Sequence, residues 1–238
     1  MTASPPTEPR SEPDSGEGAL RDLTAPSSVL AVAFGGMLMK MDGIPPFEFF
    51  RILGAVAPVK KLFLRDHSQA YYHRGVRGLA DDIAGLEAGI GDVVEQAQAK
   101  RVVMMGGSGG GYAALLLGRL LGVDEVHAFA PTTFLTAELR SRCGDDRFQG
   151  RWEALMSSGR YQPRYGDLRD LFRRTPDLGT RFVVHYCSAY DLDVFHAEWL
   201  AAETGVELRG YGGGDHRVLK HLRETGELQP LLEELIAG

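Results

Sequence analysis

Short apolar runs alternate with amphipathic stretches from residue 28 to the end of the chain. Six of the runs are almost continuously apolar, which is typical of strands that are buried on both faces of a parallel sheet. They lie at Val29–Phe34, Lys61–Leu64, Arg101–Met105, Glu125–Phe129, Phe182–Tyr186 and Val206–Tyr211. The pattern therefore predicts about six strands in one sheet.

The stretches between these runs have the periodicity of helices. Between Gly78 and Ala99, apolar side chains recur every three or four residues, as on the buried face of an amphipathic helix. Further helices are predicted over Tyr112–Leu121, Phe195–Thr204 and Gln229–Ile236. Because strand and helix alternate, the predicted fold class is α/β, with a mainly parallel sheet and helices on both of its faces.

Two segments depart from this alternation. Residues 1–27 are rich in Pro, Ser, Thr and Glu and nearly free of large apolar side chains, so we expect a disordered N-terminal tail. Residues 131–178 are too long for a simple connection between strands, and we expect short helices that form a lid over the carboxyl edge of the sheet. One domain is predicted over residues 28–238, with this lid segment inside it.

Composition and charge narrow the classes of function. The formal net charge of -6 and the lack of a basic block argue against binding of nucleic acid through its phosphates. No apolar run reaches the roughly 18 residues of a membrane-spanning helix, so no membrane partner is expected. No secretory signal pattern is visible, which predicts a cytoplasmic protein. Cys143 and Cys187 are too few for a disulfide scaffold or a zinc ribbon.

A glycine-rich turn directly after Arg101–Met105 is the strongest chemical signal. Gly106, Ser108 and Gly110 fill a Gly-x-Ser-x-Gly pattern, and a helical pattern begins at once. Small residues two before and two after the serine avoid a Cβ clash between the backbones of the strand and the helix at this tight turn. The serine hydroxyl can then project above the sheet. We therefore predict that Ser108 is a nucleophile and that the N–H of Gly109, at the start of the helix, stabilises an oxyanion. A phosphate-binding loop would need a lysine after its last glycine, and none follows here, while a dinucleotide turn does not fit the glycine spacing.

A nucleophile of this type needs an acid after a later strand and a histidine near the end of the chain. Asp191 and Asp193 both follow the strand at Phe182–Tyr186, and His216 ends a glycine-rich loop after the last strand. His216 is the predicted general base. Asp193 also fits the N-cap of the following helix, so the spacing leaves both aspartates open as the acid. Asp215 is expected to shape the loop.

With these residues in this order, the chain resembles the α/β-hydrolase superfamily over about residues 28–238. Four short segments also resemble a bacterial hydrolase-like subgroup of poorly defined substrate. They are Phe34–Gly36, Leu64–Asp66, Tyr71–Gly75 and Ala128–Pro131. The resemblance implies an α/β-hydrolase-type sheet, an oxyanion hole completed by the N–H of Gly36 or Met37, and Asp193 as the acid, with Asp191 as the alternative. The chain departs from the family in lacking an obvious antiparallel hairpin before residue 28.

Other polar side chains are expected near the same edge of the sheet. Arg65, Asp66 and His73 follow a predicted strand, and we predict that they line a polar substrate pocket or brace the loop beside it. A metal site at Asp66, His67 and His73 is disfavoured because the spacing is loose, and no metal or cofactor is expected. The arginines of residues 140–174 are candidates for binding an anionic group.

These residues predict a serine hydrolase or acyl transferase. Its substrate is expected to be an ester or thioester of a small molecule or of a carrier-bound acyl group. Two alternatives remain open, because a fold of this kind does not determine the reaction. One is a biosynthetic lyase or cyclase that uses His216 as a base on carbon, and the other is a non-catalytic binding module.

Overall fold

A computed structural model describes residues 16–38, 44–56 and 58–237. Within these ranges the chain forms one seven-stranded sheet, which is parallel except at one edge. The strands are β1 (Ala19–Asp22), β2 (Val29–Phe34), β3 (Lys60–Leu64), β4 (Arg101–Gly107), β5 (Glu125–Phe129), β6 (Arg181–Cys187) and β7 (Val206–Tyr211). Their order across the sheet is β1-β3-β2-β4-β5-β6-β7. All six predicted strands and the α/β fold class are confirmed.

Helices follow or precede most strands. They are α1 (Phe50–Val56), α2 (Ile83–Ala97), α3 (Gly109–Leu121), α4 (Ala137–Cys143), α5 (Gln149–Ser157), α6 (Leu168–Arg174), α7 (Asp191–Leu200), α8 (Val218–Glu224) and α9 (Leu228–Ala237), with a 3-10 turn at Pro163–Tyr165. The four predicted helices are present with shifted ends, while α1 and α8 were not predicted. Helix α2 begins later than expected because the Asp82 side chain caps it by accepting the N–H of Gly85 at 2.7 Å.

The prediction of a disordered tail over residues 1–27 is wrong for its last part. Strand β1 pairs antiparallel with β3, and the adjoining Gly18 accepts the N–H of Arg65 at 2.8 Å and donates its own N–H to the carbonyl oxygen of Arg77 at 3.0 Å. The chain therefore has an antiparallel edge strand before residue 28. The amino-acid composition does not reveal this strand, because backbone pairing along an open sheet edge needs little apolar surface. Residues 1–15 lie outside the described part of the chain.

Two apolar layers hold the sheet. Alternate strand residues such as Val32 and Met104 pack with α2, α3, α6 and α7 on one face. Their neighbours, such as Ala33 and Met105, pack with α1, α8 and α9 on the other face. Both faces are thus covered by helices, as expected of a parallel sheet. In the described ranges, no helix combines the length and apolarity needed to cross a bilayer.

The segment 131–178 contains α4, α5, the 3-10 turn and α6, so the prediction of short helices is confirmed. Much of it belongs to the core, since Leu168, Leu171 and Phe172 of α6 are buried in the layer that contains α3. Between α4 and α5, however, the chain reaches the carboxyl edge of the sheet. There Arg147 and Phe148 enter the wall of a cavity.

Candidate active site

Ser108 lies at a sharp turn between β4 and α3, with φ of 51° and ψ of -116°. These angles are outside the regions that residues other than glycine normally adopt. A Cβ on Gly106 would stand 2.3 Å from the carbonyl oxygen of Gly110, and one on Gly110 would stand 2.3 Å from that of Phe34. Glycine is therefore required on both sides of the serine, which is the steric reason for the Gly-x-Ser-x-Gly spacing.

His216 connects Ser108 to Asp193. Its Nε2 lies 3.0 Å from Ser108 Oγ, and its Nδ1 lies 2.8 Å from Asp193 Oδ1. The Asp193 side chain is fully buried in the first turn of α7, whereas the His216 side chain is 23% exposed on the loop between β7 and α8. Three residues from three separate parts of the sequence thus form one hydrogen-bonded chain that ends at a serine hydroxyl.

The two candidate acids point in different directions. Helix α7 has its N-cap at Tyr190, so Asp191 and Asp193 both lie inside the helix and Asp193 is not the cap. Residues two apart on a helix face opposite sides, and Asp191 is accordingly exposed while Asp193 is buried. Asp215 accepts the backbone N–H of Arg217 at 2.8 Å, which is consistent with a role in shaping the loop.

Arg147 also contacts this series of hydrogen-bonded side chains. No sequence motif distinguishes it from the other arginines of residues 140–174. Its Nη1 lies 3.2 Å from Asp193 Oδ1 and 2.9 Å from His216 Nδ1. Its Nε and Nη2 donate to the two oxygens of Asp145 at 2.9 and 3.1 Å. Burial opposes ionisation of Asp145, but hydrogen bonds from His196 and Arg147 outweigh it and hold the Asp145 pKa well below its usual value.

The N–H groups predicted to form an oxyanion hole differ in whether they already donate a hydrogen bond. The Gly36 N–H donates to Glu48 Oε2 at 3.0 Å and is therefore occupied. The N–H groups of Met37 and Gly109 donate to no acceptor within the described ranges. A Cβ on Gly109 would stand 2.8 Å from Met37 Cγ, so the two residues are adjacent. Of the two alternatives from the sequence, Met37 is the one whose N–H has no acceptor in the described part of the chain.

A cavity of about 830 Å³ opens over Ser108 and His216. Met37, Leu38 and Phe148 contribute to its apolar wall. Its charged side chains are Glu48, Arg147, Asp215, Arg217, Lys220 and Arg223. Arg147 is thus the sole arginine of residues 140–174 among the lining residues in the described part of the chain, and the other cations come from α8 and the residue before it. The cavity can hold an apolar acyl group and has cations in its wall.

Arg65, Asp66 and His73, predicted to line a substrate pocket or to brace the loop beside it, are not among the residues that line this cavity. Their side chains are buried, with at most 4% of each residue exposed. Arg65 donates to the carbonyl oxygen of Glu17 at 3.0 Å and stacks on Phe47. Asp66 accepts the backbone N–H groups of Ala70 at 2.7 Å and Tyr72 at 2.9 Å.

His73 lies between the Tyr112 hydroxyl, 3.1 Å away, and the N–H of Gln162, 3.2 Å away. Burial lowers the His73 pKa to about 4, so the ring is neutral near pH 7. The three residues therefore brace loops behind the site, which was the other role predicted for them. Among the described residues, no group of three histidine, cysteine or acidic side chains is arranged to hold a metal ion.

Comparison of the sequence with models of known families and with curated proteins gives no match. Solved structures, in contrast, include similar folds. The capsule O-acetyltransferase of Neisseria meningitidis serogroup A has a TM-score of 0.65 at 16% identity, over 88% of this chain and 89% of that one. An α/β hydrolase from a sediment metagenome of the Mar Chica lagoon, Morocco, has a TM-score of 0.55 at 13% identity, over 93% and 96%.

Brefeldin A esterase, a bacterial homologue of human hormone sensitive lipase, has a TM-score of 0.54 at 18% identity. That match covers 88% of this chain and 67% of the esterase. The sheet order, the glycine turn at Ser108 and these similarities agree. The chain therefore has the α/β-hydrolase fold.

Proposed function

We propose that the protein is a serine hydrolase or acyl transferase in which Ser108, His216 and Asp193 act as a catalytic triad. The observation that carries this proposal is the hydrogen-bonded chain from Ser108 Oγ through both ring nitrogens of His216 to Asp193. The substrate is an ester or thioester of a small molecule or of a carrier-bound acyl group. A strained serine beside an imidazole in an open cavity supports nucleophilic chemistry over base catalysis on carbon.

In the first half-reaction, Ser108 Oγ attacks the acyl carbonyl carbon while His216 Nε2 takes the hydroxyl proton. Asp193 accepts the hydrogen of His216 Nδ1 and so keeps the other ring nitrogen unprotonated before attack. The negative charge on the former carbonyl oxygen is stabilised by the N–H groups of Met37 and Gly109. The tetrahedral intermediate collapses, and the leaving alcohol or thiol takes the proton from His216.

In the second half-reaction, water or an acceptor hydroxyl attacks the acyl-serine. His216 removes the proton of the attacking group and returns it to Ser108 Oγ as the ester bond breaks. The fold neighbours support both outcomes, because one is an esterase and another is an O-acetyltransferase that has also been solved in complex with CoA. The open cavity leaves room for either attacking group.

Covalent labelling tests the nucleophile directly. A fluorophosphonate probe is expected to modify Ser108, as located by mass mapping of peptides, and Ser108→Ala is expected to abolish labelling. The same substitution should lower kcat for 4-nitrophenyl acetate by roughly 10³- to 10⁶-fold. Ser157→Ala, which changes an exposed serine on α5, is the matched control. Full activity of Ser108→Ala together with no labelling of the wild-type chain contradicts the proposal.

A second experiment distinguishes a hydrolase from an acyl transferase by measuring how the acyl group divides between water and an added alcohol. The wild-type chain is given 4-nitrophenyl acetate with increasing concentrations of a small alcohol acceptor, and free acetate and the acetylated alcohol are both measured. For a transferase, the new ester is expected to become the main product while the release of nitrophenol speeds up. For a hydrolase, acetate remains the main product at every alcohol concentration.

A further inference from the structure

Glu48 places a carboxyl group in the wall of the cavity, in the turn that precedes α1. Its Oε2 accepts the N–H of Gly36 at 3.0 Å, and the N–H of Gly107 also donates to the carboxyl group. Gly107 directly precedes Ser108, and Gly36 directly precedes Met37. One side chain therefore ties together the two loops that carry the nucleophile and the proposed oxyanion donor.

The space for this carboxyl group is provided by two glycines. Both Glu48 oxygens lie 3.3 Å from the point where a Cβ on Gly107 would stand. The Oε2 atom lies 3.4 Å from the corresponding point on Gly36. A larger residue at either position would press on the carboxyl group. The second glycine of the Gly35-Gly36 pair and the glycine before Ser108 thus have a role besides the turn itself.

The charge state of Glu48 matters because an anion is expected to develop beside it. Glu48 is half-buried in the wall of the cavity. Burial raises the Glu48 pKa above its usual value of 4.5, and the hydrogen bonds from Gly36 and Gly107 and the charge of Arg223 only partly oppose this. The neutral acid is therefore favoured to a higher pH than for an exposed glutamate.

Other titratable groups face Glu48 from neighbouring elements or across the cavity. They are Tyr72, Arg147, His216, Lys220 and Arg223, together with the Asp215–Arg217 ion pair. Burial holds the Tyr72 pKa well above 10, so its hydroxyl stays neutral. Deprotonation of His216 activates a serine nucleophile and does not inhibit it. Ionisation of Glu48 would add a negative charge beside the site as the pH rises.

We propose that Glu48 is a positioning residue of the active site and that the reaction is faster with its neutral carboxyl group than with the carboxylate. This inference rests on the proposed function. The carboxyl group accepts the Gly36 N–H and so fixes the backbone at Gly36 and Met37. The Met37 N–H is then left to donate to the oxyanion. Once ionised, the same group lies close to the developing negative charge and destabilises the transition state.

The test compares the pH dependence of Glu48→Gln with that of the wild-type chain. The readouts are the rate of fluorophosphonate labelling of Ser108 and kcat and KM for 4-nitrophenyl acetate. The wild-type rate is expected to fall on the alkaline side as Glu48 ionises. Glu48→Gln keeps an oxygen that accepts the Gly36 N–H but cannot ionise, so its rate is expected to stay level there.

Two further variants define the role. Glu48→Ala loses the acceptor for Gly36, and its kcat is expected to fall by about 10²- to 10³-fold at every pH with KM little changed, as on loss of an oxyanion donor. Glu224→Gln removes an exposed carboxylate of α8 that is paired with Lys220 at 3.6 Å, and it should keep the wild-type pH profile. Thermal unfolding of each variant confirms that it is folded.

Superimposable pH profiles for the wild-type chain and Glu48→Gln overturn the inference, and so does a wild-type kcat in folded Glu48→Ala. If Glu48→Ala does not fold, the comparison of Glu48→Gln with the wild-type chain decides alone. The proposed function fails separately, when Ser108 is labelled in none of the variants. Labelling of Ser108 with identical pH dependence in both chains removes only the role of Glu48.

Discussion

Two histidine–aspartate pairs lie side by side in this molecule, and only one of them has a serine next to it. His216 Nδ1 is 2.8 Å from Asp193, and His196 Nε2 is 3.1 Å from Asp145. Both carboxyl groups are buried, with side-chain exposures of 0% and 2%. Residue type and distance alone do not separate a candidate catalytic pair from a structural one.

The difference lies in what the second ring nitrogen does. In His196, which is fully buried, Nδ1 accepts the backbone N–H of Thr133 at 3.1 Å. Both of its ring nitrogens are thus engaged, and burial lowers the His196 pKa. In His216, the second nitrogen faces the Ser108 hydroxyl at the edge of the cavity. A histidine can act as a base only where one nitrogen is left for the reacting group.

Arg147 joins the two pairs. One side of its guanidinium group binds Asp145, and Nη1 lies against Asp193 and His216. Asp145 is in turn held by His196 and by Arg140, the latter at 3.4 Å. The buried pair therefore anchors the arginine that contacts the pair in the cavity. We therefore expect changes to the buried His196–Asp145 pair to affect mainly the free energy of unfolding. Changes to the His216–Asp193 pair at the cavity should affect mainly kcat.

The largest difference is expected between the alanine variants of the two histidines. His216→Ala removes the proposed base, so kcat for 4-nitrophenyl acetate should fall by roughly 10³- to 10⁶-fold. The side chain is 23% exposed, and the melting temperature should change little. The measurement is steady-state kinetics together with thermal unfolding of the same preparation.

His196→Ala is the matched control for the buried pair. It leaves Asp145 without one of its buried partners, so the free energy of unfolding should fall by about 3–5 kcal/mol. The activity of each folded molecule should stay within about tenfold of the wild-type value, because His196 does not line the cavity. A folded His196→Ala protein as inactive as His216→Ala would mean that the two pairs do not have separate roles.

A comparable loss of stability is expected from Asp145→Asn, and it depends on pH. The pKa of Asp145 is well below its usual value of 3.8, so its ion pairs stabilise the fold above that pH and lose this effect as the pH falls toward the folded-state pKa. The lowered His196 pKa acts in the same direction, since the unfolded chain binds a proton below about pH 6.5 that the folded chain resists.

Urea unfolding at a series of pH values measures both contributions. The wild-type free energy of unfolding should decrease below about pH 6.5 and more steeply below about pH 4. Asp145→Asn should be less stable by about 3–5 kcal/mol at neutral pH, and its decrease below about pH 4 should be less steep than that of the wild-type chain. An unchanged slope in the variant would show that Asp145 is not the source of the acid sensitivity.

The parts of the site that follow local rules could be predicted from the sequence. The turn at Ser108 needs glycines at fixed positions after a buried strand, and His216 needs a glycine-rich loop after the last strand. Both requirements act within a few residues and so leave a pattern. The six parallel strands are visible for the same reason, because burial on both faces demands continuous apolar runs.

Arg147 and Glu48 could not be predicted in this way. Each reaches the cavity through packing of distant elements, Arg147 from the connection between α4 and α5 and Glu48 from the turn before α1. No spacing rule distinguishes them from other charged residues. Strand β1 could not be predicted for a different reason. Its pairing with β3 uses backbone groups that every residue has. Sequence patterns report local steric and apolar requirements, and they miss contacts that exist only after folding.

The smallest effect is expected at the acid that the sequence could not exclude. Asp191 is exposed at the first position of α7, where its charge interacts with the helix N-terminus. Asp191→Asn should therefore lower the free energy of unfolding by about 0.3–1 kcal/mol and leave kcat within about twofold of the wild-type value. Asp193→Asn should lower kcat by about 10⁴-fold, because an amide can hold the His216 ring in the wrong tautomer. Steady-state kinetics of the two variants decide between the aspartates, and equal losses would rule out Asp193 as the partner of His216.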